Sequence, residues 1–501
     1  MKKQTYFYIS FTLFTLGGVI NAQNPGFTIF QNGPSMHTAR IMHYQTLLPG
    51  NRIAAFGGHI PGFVRSNTAE IWDGGSNTWT QYTMNDYRDG NGIAKLSDGK
   101  IFLMGGCSSD YGVGQLNSTE VFNPSNNSFT AGGPMTSVRT MCRATTLNNG
   151  KVLIVGNWYS NANFGNICDS SATTCLATDS VKEQRAAAIL LPTNDGKALV
   201  IGGYQPYNGS IPVTRVELYD NVNNTFSTLQ TDLISGDPGW MLSTGYALAG
   251  GSGLSEDCRL ANGKYILMAY KSNNSVNEYT LVSFDPATKI FAKINTTPSI
   301  PNYDPANGDS TGYSLWPMVD KVNDKVYFWG IKGSAPPFYT NLFAVDMGTN
   351  TLAIPTSFIP FSFLIYTASS IVMNDGKIFV SGGSYNGDNF SALDSVMIIT
   401  PSIFTTHVLT TTQADNNTLN IYPNPTDGIF NLKLNPSLTN GLKIQSIEVT
   451  NILGEKIYED VNFQINSSSN FQIDLSKQPG GIYTIRLNSE EGSIVKKLVR
   501  R

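Results

Sequence analysis

The sequence predicts an all-β protein: a seven-bladed β-propeller followed by a small β-sandwich. Three observations carry this expectation. A Gly-closed turn-and-strand unit recurs seven times, a hairpin unit recurs beside it, and the pattern stops abruptly after Thr400. Composition agrees, because only 14% of the 501 residues are charged while Gly reaches 48. Such a mix favours strands and tight turns, and no stretch shows helical periodicity. A net charge of −3 gives no nucleic-acid footprint, and the chain is too apolar for disorder.

The first element is a leader. Lys2 and Lys3 precede an uncharged apolar run, Tyr6 to Ile20, and the small residue Ala22 ends the segment. This layout reads as a secretory signal peptide over residues 1–22, with an apolar core short for a membrane span. A retained signal anchor is the alternative. The mature chain then begins near Gln23 and holds no further stretch of transmembrane length.

The turn-and-strand unit follows. It reads "LPGNRIAAFGG" (48–58), "LSDGKIFLMGG" (96–106), "LNNGKVLIVGN" (147–157) and "TNDGKALVIGG" (193–203). Degraded copies occupy 260–270 and 321–331, and "MNDGKIFVSGG" (373–383) restores it. Asp-Gly and Asn-Gly favour a two-residue hairpin with positive φ, and the Gly pair permits close backbone approach. The second unit is "EIWDGGSNTW" (70–79), "EVFNPSNNSF" (120–129) and "ELYDNVNNTF" (217–226), with weaker copies at 282–291 and 343–352. Each reads as a hairpin around an Asp/Asn turn, its outer strand starting at a buried aromatic. The third repeat has no recognisable copy. Two hairpins per repeat, with turns 46 to 67 residues apart, give four-stranded blades. Six or eight blades are the neighbouring counts.

The Gly-Gly, Glu-x-aromatic and Trp/Phe pattern resembles the kelch motif. Its "DGKIxxxGG" form is similar to kelch domains related to the galactose oxidase propeller, over residues 23–404. "FTIFQNGPSMHTAR" (27–40) parallels "FTAGGPMTSVR" (129–139), yet no blade precedes it. Its strand is therefore expected to complete the last blade and remove a sheet edge.

Loop lengths suggest a binding face. The Asp-Gly-Lys and Asp-x-x-x-Asn turns are short and share one rim, whereas the long segments 157–180, 229–257 and 295–313 fall on the other. Candidate ligand-binding aromatics there are Trp158, Tyr159, Tyr204, Tyr207, Trp240 and Tyr303, with Tyr246 and Tyr313 beside them. Such rings stack on sugar faces and peptide groups, or else simply pack their own loops. Arg40, Arg139, Arg143, Arg185 and Arg259 recur where inner strands start. Either they ring the channel mouth and attract an anion, or they satisfy carbonyls and acidic residues between blades.

Enzyme motifs are sparse. Galactose oxidase relatives use a copper site with two His and a Tyr cross-linked to a Cys. This chain has only His37, His43, His59 and His407, with no ligand-like spacing. No arginine-triad motif, nucleophile elbow, P-loop or zincin motif occurs. No catalytic residue, metal or cofactor is expected. The oxygen-rich loops 85–92 and 303–312 lack complete calcium-loop spacing and read as turns. Asp-Ser-Val at 179–181 and 394–396, and Asp-Ser-Thr at 309–311, resemble a short bacterial O-glycosylation sequence. Cys168 and Cys175 sit close enough to staple a loop, and at most one further pair can form among Cys107, Cys142 and Cys258.

A Thr-rich linker, 405–417, leads to about seven alternating strands over 418–501, which fits a small Ig-like sandwich. "YPNP", "GIFNL", "LGEKIY", "LSKQPGGIYTIRL" and the basic C-terminus closely resemble the type A C-terminal sorting domain of type IX secretion. The resemblance implies a Bacteroidetes-type exporter as partner, passage across the outer membrane, and removal of the tail. The resulting expectation is a secreted or surface-exposed noncatalytic module binding a glycan or protein. A propeller enzyme acting on carbohydrate, and a matrix protein with no discrete ligand, are the alternatives.

Overall fold

A computed structural model of the chain describes residues 27–62, 64–109, 113–159, 163–206, 211–242, 254–273, 276–301, 317–332, 339–353, 368–384, 392–401, 419–434, 444–451, 456–460, 471–489 and 492–501. They fall into two compact units, Met1–Pro401 and Ser402–Arg501. Among the described residues no helix is long and apolar enough to cross a membrane.

The first unit is a β-propeller whose described residues form seven four-stranded antiparallel sheets. Blade one is Tyr44–Leu48, Arg52–Phe56, Thr68–Asp73 and Thr78–Thr83, and the later blades repeat this order from the inside outward. In the seventh, Ser369–Val372, Ile378–Ser381 and Val396–Pro401 are completed by Phe27–Asn32. The N-terminal strand thus closes the ring, as its parallel with residues 129–139 leads one to expect. Around that seam Trp72 and Trp79 pack against Phe379, Ile371 and Val396. Trp79 Nε1 donates to Pro34 O (2.8 Å), and Met36 N donates to Asp394 O (2.9 Å).

The turns show why Asp-Gly recurs. Leu96 N–H donates to Lys100 O, Gly99 N–H to Leu96 O, and Asp98 Oδ1 accepts from Lys100 N (3.1 Å). Gly99 has φ +85° while Asp98 stays out of the left-handed region. This corrects the expected two-residue hairpin: the turn is the longer kind that ends in a left-handed glycine bulge. Hairpins of the second unit use an Asx turn instead. Asp73 Oδ1 accepts from Gly75 N (2.8 Å) and Ser76 N (3.0 Å), and Asn77 takes φ 55°. Blade six borrows that solution for its inner turn, with Asp320 accepting from Val322 and Asn323 and Asp324 at φ 52°. Its Asp-Gly signature is accordingly lost.

Segment 157–180 is more than a rim loop. It contains the outer hairpin of blade three, Phe164–Cys168 and Cys175–Ser180, joined by a Cys168–Cys175 disulfide. Segment 229–257 is likewise more than a surface loop. It supplies the inner strand Met241–Leu242 of blade five and a 3₁₀ turn, Ser255–Cys258. That turn sits among the blades. Leu254 packs with Tyr44, Leu48 and Ile93, Ser255 Oγ meets Thr145 Oγ (3.2 Å), and Cys258 joins Leu191, Leu199 and Tyr265. The segment therefore reaches residues of blades one to five, among them Tyr44, Thr145 and Tyr265.

The second unit is a sandwich of a three-stranded and a four-stranded sheet. Phe430, Leu432, Ile447, Val449, Ile473, Ile485 and Leu498 form its core.

Candidate functional site

The segments that lead into blades one to four share one local design. Arg40, Arg88, Arg139 and Arg185 are each at most 1% exposed, and each donates Nη1 to a carbonyl seventeen residues on: Gly57, Gly105, Gly156 and Gly202. Three of them also bind a buried carboxylate at 2.5 Å: Arg40 to Glu70, Arg88 to Glu120, Arg185 to Glu217. Those glutamates in turn accept lead-in amides, as Glu70 does from His37 N (2.6 Å) and Thr38 N (2.9 Å). In blade three Asn166 replaces Glu, and Arg139 Nε donates to its Oδ1 (2.9 Å). Burial lowers the Arg139 pKa to about 10. The second reading of these arginines is the correct one: Arg40, Arg139 and Arg185 tie each blade to its own lead-in segment. The sequence reading missed Arg88, although its spacing from Arg40 and Arg139 was the available signal.

Close approach at this rim explains the Gly pairs. A Cβ on Gly57 would strike the carbonyl of Arg88 in the next blade, and one on Gly58 would strike Ile41 and His43. Two residues after each arginine the backbone turns left-handed, at Met42 (φ 54°), Gly90 (φ 60°), Met141 (φ 54°) and Ala187 (φ 53°). Non-glycine residues held there are strained, and such positions gather at functional sites.

Three of these four residues line one cavity of about 230 Å³. Its walls are Met42 and Tyr44 from blade one, Asp89, Gly90 and Cys107 from blade two, and Thr140, Met141, Arg143, Trp158 and Tyr159 from blade three. Trp158 and Tyr159 are half-buried. Their loop is pinned where Trp158 N donates to Thr140 O (3.1 Å) and Asn157 Nδ2 donates to Val138 O (2.6 Å). Arg143 Nη1 donates to Tyr44 Oη (3.2 Å) and Cys142 O (3.1 Å). Tyr44 donates in turn to Asn91 O, and burial pushes its phenol up to about 12. Asp89 Oδ2 bonds His59 Nε2 at 2.6 Å.

The other candidates lie elsewhere. Trp240 is only 1% exposed and belongs to the core between blades four and five, so it presents no open ring. Its Nε1 donates to Asp237 (2.9 Å), and Lys293 Nζ lies 4.1 Å from its ring centroid. Tyr204 is half-buried, bridged to Ala186 and Pro212, and is not one of the cavity's lining residues. Arg259 donates to Gly263 O (3.2 Å) and lies over Tyr265. Tyr207, Tyr246, Tyr303, Tyr313 and His407, with loop 303–312, lie outside the described residues. Cys107, Cys142 and Cys258 are buried thiols. In loop 85–92, Asp86 binds Arg88 and Ser118 while Asp89 binds His59.

Comparison with known proteins finds a match within each of the two units. Residues 96–136 match the Kelch motif, and residues 420–501 match the Secretion system C-terminal sorting domain. A solved structure described as a novel fungal alcohol oxidase of the AA5 family, in complex with copper, is similar in fold. Its TM-score is 0.53 at 13% identity, covering 95% of this chain and 100% of that one. No curated protein matches the chain. Among the described residues the donor set does not fit that metal. His43 is buried at the ring seam against Ser381 Oγ (2.9 Å), His37 binds Glu70, and His59 binds Asp89. Among the described residues no three His, Cys, Asp or Glu side chains converge, and the cavity holds the Arg143 cation. The chain is thus a β-propeller that carries a Kelch motif at 96–136 and a Secretion system C-terminal sorting domain at 420–501, and the latter marks it as secreted or surface-exposed.

Proposed function

We propose that this protein is an extracellular, noncatalytic binding module that recognises a glycan through the cavity at Trp158 and Tyr159. The cavity carries the reading, because two half-buried aromatic rings stand beside hydrogen-bonding groups in a recess of about 230 Å³. Sugars present apolar C–H faces and polar rims to such a lining. Residues 1–22 would act as the signal peptide that delivers the chain to the periplasm. The type IX machinery of a Bacteroidetes-type cell would then read residues 418–501 beyond the linker 405–417.

A glycan array probed with the full chain tests this, paired with a pull-down for protein partners. Retention of a defined glycan class, weakened by Trp158→Ala, supports the reading. A clean array with a specific protein partner replaces it. A carbohydrate-active enzyme is the second reading, favoured by the Asp89–His59 pair at the cavity wall, and turnover of a sugar panel would select it.

A further inference from the structure

The same cavity holds one arginine unlike the others. Arg40, Arg88 and Arg185 each meet a buried glutamate, and Arg139 is spread over Asn166 and two carbonyls. Arg143 is 5% exposed, yet it bonds through Nη1 alone, to a phenol and a carbonyl. Its Nε is buried with no partner. No carboxylate pairs with it among the described residues, since Asp89 is engaged by His59. Tyr44 does not compensate, because its phenol keeps its proton across the physiological range. A buried guanidinium without a counter-charge is unfavourable unless something neutralises it. Among the described residues Nη2 has no protein partner, and Arg143 lines the cavity, so its guanidinium offers a charged donor to an anion there.

We infer that the cavity takes an acidic sugar, a single pyranose ring whose carboxylate lies against the guanidinium of Arg143. This rests on the glycan-binding reading and sharpens it. Trp158 and Tyr159 cover the ring's apolar face. Asp89, bonded through Oδ2 alone, keeps its other oxygen for a sugar hydroxyl. The volume, about 230 Å³, suits one ring, being under the roughly 300 Å³ at which sites for drug-sized ligands begin.

Isothermal titration of the full chain at physiological salt tests it. Glucuronate, galacturonate and N-acetylneuraminate are compared with glucose, galactose and the uronamides, which keep the shape and lose the charge. At least one acid binds roughly tenfold or more tighter than its neutral counterpart, as expected for a charged hydrogen-bond pair. In Arg143→Gln that ratio falls to about one, and Arg143→Lys, a charge without the fork, gives an intermediate ratio. Ratios within one variant cancel any loss of folded protein, and the uronamide comparison needs no variant. Equal affinity for acid and amide, or a preference that survives Arg143→Gln, overturns the acidic-sugar inference and leaves glycan binding standing. Absence of binding to any sugar, here and on the array, overturns both.

Discussion

Cys168 and Cys175 stand in blade three at the cross-strand positions that Trp72 and Trp79 hold in blade one. Both pairs are seven residues apart and directly opposed in register. Phe122 and Phe129, Tyr219 and Phe226, and Phe284 and Phe291 fill the same site in blades two, four and five, with ring centroids 4.8–5.0 Å apart. A covalent bond replaces a ring contact while the Asx turn is kept, with Asp169 Oδ1 accepting from Ser171 N (2.9 Å) and Thr173 N (3.0 Å). Closing so short a loop stabilises by about 2.5 kcal/mol. Cys168→Ala with Cys175→Ala should therefore lower unfolding free energy by about that amount. Reductant should lower the wild-type melt to match and leave the double variant unmoved. A reductant effect on the double variant would contradict this.

The lead-in arginines should differ in a graded way. Arg88→Met strands the buried Glu120 carboxylate and is expected to cost about 3–5 kcal/mol. Arg139→Met strands only neutral groups, Asn166 and two carbonyls, and should cost about 1–3 kcal/mol. Arg88→Met combined with Glu120→Met should recover most of the loss. Denaturant unfolding of the three variants checks the order, and equal losses for both single changes would refute it.

Ring closure by the N-terminal strand makes deletion of residues 24–31 destabilising. The melting temperature should fall by on the order of 5 °C or more, since the outer edge of the seventh blade is then bare. An unchanged melt would show that Phe27–Asn32 contributes nothing.

Acid should weaken the hairpin turns. A hydrogen bond from Lys197, with backbone amides of Val222 and Asn223, lowers the Asp220 pKa to about 2. An unfolded aspartate titrates near about 3.9, so between these values the folded chain binds fewer protons. The stabilisation is complete above about pH 4 and is lost as pH falls toward about 2. The melting-temperature gap between wild type and Asp220→Asn should close across that window, and a constant gap would contradict the assignment.

The fold was readable wherever a repeated position has one chemical solution. Gly99 must be left-handed, Asp98 must accept from Lys100 N, and the Gly57–Gly58 pair must admit neighbouring backbone, so these letters recur. Blade three escaped because Asn166 replaces Glu and the Cys168–Cys175 bridge replaces two rings at unchanged spacing. The cavity was readable only in part. Trp158, Tyr159 and Arg143 were singled out for their type, but Met42, Tyr44, Asp89 and Cys107 come from other blades and carry no shared spelling. Trp240 misled because its burial depends on Lys271, Lys293 and the strands around them, all distant in sequence.

The seam between Phe27–Asn32 and Val396–Pro401 also fixes an order of events. The first described strand to be synthesised waits, unpaired, until the last blade has appeared, so the ring cannot be finished by adding blades one at a time. Until then it has two bare sheet edges for an escort to shield. Residues 420–501 are made after that wait is over. The address is thus written only once the cargo has every strand it needs to fold, and the exporter that reads it meets a propeller already able to close.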